Sequence, residues 1–64
     1  MIDIEDLYLN FRDSHVSHRL YPSNESARVL HEMRIAMQRH PDYAPRREID
    51  MVLEADRIVN ASAS

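Results

Sequence analysis

PRREIDMVLEADRIVN, residues 45–60, decides the fold. Placed at about 100° per residue, as a helix requires, its apolar side chains form two stripes. Ile49, Val52, Leu53 and Val59 make the first, and Met51, Ala55 and Ile58 make the second, beside and behind it. A surface helix needs only one such stripe. Two stripes predict two packing partners, one from this chain and one from another chain. The expected contact set for that other chain is Met51, Ala55 and Ile58, with Tyr43, Arg46 and Arg47 alongside.

Asp56 falls inside the first stripe, where a covered carboxylate must be paired or hydrogen-bonded. Two readings follow: an ion pair with an arginine of a partner, or a stripe open enough there for Asp56 to reach water. Pro45 suits the first helical position, where a missing N–H costs nothing. The helix is expected over about 46–60, with residues 61–64 as a frayed tail.

Upstream, His40, Pro41, Asp42, Tyr43, Ala44 and Pro45 form a short, stiff break. Tyr43, between two prolines, reads as an exposed aromatic anchor. The preceding helix is expected over about 24–39, capped by Ser23 or Asn24. Its apolar stripe is Val29, Leu30, Met33, Ala36 and Met37, with Ala27 at the margin and Ile35 pointing away. Pro22 closes a first helix, because the residue before a proline is pushed out of the α region. That helix is expected over 3–20, with Asp3 as N-cap and Asp6 completing a weak capping box. Ile2 and Leu7 stand at hydrophobic-staple positions. Ile4, Leu7, Tyr8, Phe11 and His15 share one face; Leu9, Val16 and Leu20 share another. The fold class is therefore all-α: a three-helix unit, or a helical hairpin with an additional N-terminal helix.

The chain has 64 residues, one small domain whose own core is marginal. Such scaffolds usually need a staple. With no cysteine, disulfides and thiolate zinc sites are excluded, and self-association is the expected remedy. With no glycine, phosphate-cradling loops are excluded too. All eight basic residues are arginine, a side chain favoured at interfaces. The acidic start MIDIEDLYL and the absence of a long apolar run point to a cytosolic protein without a membrane span.

Arg46 and Arg47 at a helix start after a tight turn raise a second possibility, a DNA-reading helix. Glu48, Asp50, Glu54 and Asp56 on that helix would meet phosphates badly, and the net charge is −3, so nucleic acid is not the expected partner. His15 and His18, three residues apart, could share a metal, but no third ligand is placed beside them, so no cofactor is expected. His15 reads instead as a core-edge side chain beside Phe11, which would make stability sensitive to pH between about 5 and 7. Met33, Met37 and Met51, with Met1, give a high methionine load, usually core filler at helical spacing. No nucleophile–base motif is present, and no enzymatic activity is expected.

The segments RHPDYAPRREIDMVLEADRIVNA and YPSNESARVL resemble small accessory proteins of lambdoid temperate bacteriophages, in particular the short reading frames between the recombination and excision genes. The resemblance covers about two-thirds of the chain and implies a helical, oligomeric early protein that influences the choice between lysogeny and lytic growth. It carries over no catalytic or ligand residue. The expected partners are a second copy of the chain and a bacterial or phage protein.

Overall fold

The computed structural model describes residues 2–63. Met1, counted among the methionines above, and Ser64, the end of the expected tail, lie outside them. The described chain forms three helices and no strand: α1 (Ile4–Leu20), α2 (Asn24–Gln38) and α3 (Pro45–Ala63). None is long and apolar enough to cross a membrane.

Local chemistry sets the helix starts. Asp3 is the α1 N-cap, its side chain accepting the Glu5 N–H at 3.0 Å. Ser23 caps α2 in a reciprocal box with Ser26: each side chain accepts the other residue's backbone N–H. The expected Asp6 half of the first box is not what closes α1, and Ile2 of the expected staple is largely exposed. The tight turn after α2 needs no left-handed residue; among the described residues no φ is positive. His40 braces this turn. Its Nδ1 accepts the Asp42 N–H at 3.0 Å, leaving Nε2 as the donor to the Ile2 carbonyl at 2.9 Å. α3 begins at Pro45 and runs to Ala63, so residues 61–63, expected to fray, are helical.

α1 is the element that both others pack on; α2 and α3 meet each other only sparsely. Ion pairs give its direction relative to α3. Glu5 meets Arg47, Arg12 meets Glu54 and Arg19 meets Asp56, so the two helices run parallel. α2 runs back antiparallel to α1, joining it through His18 Nδ1 and Ser26 Oγ at 2.7 Å. Leu7, Tyr8, Phe11, Leu30, Met37 and Met51 form the central cluster, with Ile4, Met33, Tyr43 and Val52 partly buried against it. Phe11 and Met37 are the largest fully enclosed side chains. The expected face of α1 is the one buried. On α2 the covered stripe is narrower than expected: Leu30 and Met37 are buried, Val29, Ala36 and Ala27 are exposed, and Ile35 is half-buried rather than turned outward.

Candidate functional site: the outer flank of α3

α3 buries Met51, Ala55 and Val59 and leaves Ile49 60% and Leu53 55% exposed. This splits the first expected stripe, with Val59 buried and Val52 half-buried while Ile49 and Leu53 face out, and it reverses the assignment of the second. Met51 and Ala55, expected to face another chain, are closed inside this one, and Ile58 is half-buried. The apolar excess is real but lies on the opposite flank. The cause is the route of α1, the helix on which α3 packs. Ala55, fully covered, lets two backbones approach where a large side chain would hold them apart.

A signal in the sequence could have found this. Around Ala55 the helical neighbours Met51, Val52, Ile58 and Val59 are all apolar. Around Ile49 and Leu53, apart from each other, they are Pro45, Arg46, Asp50, Asp56 and Arg57, with Val52 the single aliphatic neighbour. The wider apolar sector is the buried one.

Of the other expected contact residues, Tyr43, Arg47 and Asp56 are used within the chain. Tyr43 is half-buried against the core and donates its hydroxyl proton to Glu48 Oε1 at 2.7 Å, so it is no free anchor. Gln38 donates to the same carboxylate oxygen at 2.9 Å. The bond to Glu48 raises the Tyr43 phenol above its ordinary value. Arg47 places one nitrogen 2.9 Å from both oxygens of Glu5 and stacks its guanidinium 5.0 Å from the Tyr8 ring centroid. Tyr8 in turn accepts the Ala44 N–H at 2.9 Å, tying α1 to the start of α3. Of the two readings of Asp56, the open stripe is the one found: its side chain is 40% exposed, and its cation is Arg19 of the same chain, 2.5 Å away, not an arginine of a partner. Arg46 alone of the two expected arginines is exposed without a hydrogen bond or ion pair among the described residues.

Where α1, α2 and α3 meet further along lies the least satisfied group in the core. His15 stacks obliquely on Phe11, ring centroids 6.2 Å apart, with Arg34 of α2 over the other ring at 5.5 Å. Its Nε2 is 4.0 Å from Asp56, beyond a hydrogen bond, and its buried Nδ1 has no partner among the described residues. Burial pushes the imidazole below its ordinary pKa, aided by Arg19, Arg34 and His18 and opposed by Asp56. His18 is turned to Ser26, so the two histidines do not converge. Among the described residues no group of three His, Cys, Asp or Glu is placed to hold a metal, and no pocket opens.

Among the described helical residues Leu9 on α1 and Val29 on α2 are exposed as well, but Ile49 and Leu53 are the more exposed and lie one turn apart on α3, framed by Arg46, Asp50 and Arg57. Comparison with protein-family models, curated proteins and solved structures returns no match to this chain, so none of them places it among phage accessory proteins.

Proposed function

We propose that the protein acts without catalysis, as a small helical binding module whose contact surface is the outer flank of α3. The observation that carries this reading is the pairing of Ile49 and Leu53, each more than half exposed, on a helix whose other flank is already buried. Single exposed apolar residues are ordinary on protein surfaces. Two on adjacent turns, ringed by charge, present the apolar centre and polar rim of an interface. Helix-in-groove recognition uses anchors at this spacing.

DNA reading by α3 is the weaker alternative. Arg47, one of its two arginines, is committed to Glu5 and Tyr8, and the exposed flank carries Asp50 where phosphates would come. A regulatory role in a temperate phage belongs to the proposal through the sequence resemblance alone.

A photo-activated cross-linker placed at position 53 tests the surface. In bacterial cells it should capture a discrete protein species, including a second copy of the chain if that is the partner. The same group at position 28, exposed on α2, should not. Equal capture at both positions, or none at position 53, removes the reading.

A further inference from the structure

We propose that the partner of the α3 flank is a second copy of this chain, docked antiparallel about a two-fold axis at Leu53. This builds on the flank being a contact surface, and the charges around Leu53 choose the occupant. Measured around the helix from Leu53, Asp50 and Arg57 fall on one side, about 40 to 60° away, and Ile49 falls about 40° to the other. Both charged residues are exposed and form no hydrogen bond or ion pair among the described residues.

In an antiparallel pair related by a two-fold axis, matching flanks of the two helices face each other. With the axis at Leu53, each Leu53 opposes its counterpart. Asp50 then lies within one residue's rise, about 1.5 Å, of the level of Arg57 of the second copy. Symmetry makes that pair twice.

Competing arrangements are penalised by the same charges. Sliding the register so that Ile49 rests on Leu53 of the second copy brings the two Asp50 carboxylates to within about 3 Å of the same level on one flank. A parallel pair stacks Arg46 on Arg46. A sequence that repels two registers and satisfies a third twice over is suited to itself.

The association is weak. A standard interface buries about 800 Å² on each partner, about a fifth of this chain's 4518 Å², and one helix flank supplies less. Dissociation constants in the range of about 10 to 500 μM are expected, with further weakening at high salt because the ion pairs are exposed.

Sedimentation equilibrium of the purified full chain, from about 10 μM to about 1 mM, reads the result directly. The apparent mass should rise from 7.6 kDa toward twice that value. Asp50→Arg or Arg57→Asp alone should weaken the dimer about tenfold, and the double exchange should restore it. Circular dichroism on each variant confirms that the helices persist. A chain that stays monomeric at the highest concentration, or single variants that leave dimerisation unchanged, overturns the second-copy assignment. So does a double exchange that fails to rescue. Capture of a different protein at position 53 by a monomeric chain would leave the surface standing and remove only this choice of occupant.

Discussion

The two flanks of α3 are built from similar side chains and meet opposite fates. Met51 and Ala55 are enclosed, while Ile49 and Leu53, as apolar and larger than Ala55, face outward. Hydropathy does not separate them. What separates them is the side of α3 on which α1 packs, held there by the interhelical ion pairs Arg12–Glu54 and Arg47–Glu5. Burial in a helical assembly this small is decided by shape before it is decided by greasiness.

Three measurements break or sharpen that contrast. The largest effect is expected from Met51→Ala, which should cost about 2–5 kcal/mol by opening a cavity in the central cluster, enough to unfold much of a chain this short. Leu53→Ala, two residues further, should stay within about 0.5 kcal/mol of the parent in urea denaturation at a concentration where the chain is monomeric. Equal losses at the two positions would mean that the flanks are not distinct. Ala55→Leu should come next, destabilising by about 1–3 kcal/mol because α1 cannot move away without breaking Arg12–Glu54. A stabilised Ala55→Leu would show that there is room at the crossing.

The smallest effect is a pH dependence. His15 is held below the ordinary imidazole pKa of about 6.5, so on acidification the unfolded chain takes up its proton first. The stability associated with neutral His15 is complete above about pH 6.5 and is lost as pH falls through that value toward the folded one. The urea midpoint should therefore drop between about pH 7.5 and 5.5, and His15→Leu should flatten that slope. An unchanged slope in the variant would place the titration elsewhere.

Much of the fold is legible in the sequence because it depends on neighbours along the chain. Asp3 and Ser23 announce helix starts, Pro22 and Pro45 bracket the helices, and the buried face of α1 follows from the spacing of Leu7, Tyr8 and Phe11. The candidate site was legible only in part. Two apolar stripes can be counted on α3, but which one is covered depends on partners 42 residues away, such as Arg12 for Glu54 and Glu5 for Arg47. Tyr43 misleads for the same reason: flanking prolines suggest exposure, and nothing local reveals that Glu48 holds its hydroxyl. Asp56 could be recognised as a carboxylate needing a cation; that the cation is Arg19 is a property of the parallel packing of α1 and α3.

The position of α1 between two helices that scarcely touch has a mechanical meaning. Beyond the turn where Gln38 and Tyr43 share Glu48, the outer helices are joined like two doors on a common post. Apart from the Gln38–Glu48 bond at that turn, whatever seats itself on α3 is felt by α2 as a roll or slide of α1. The residues that would transmit such a movement are Phe11 and His15, which sit where all three helices converge.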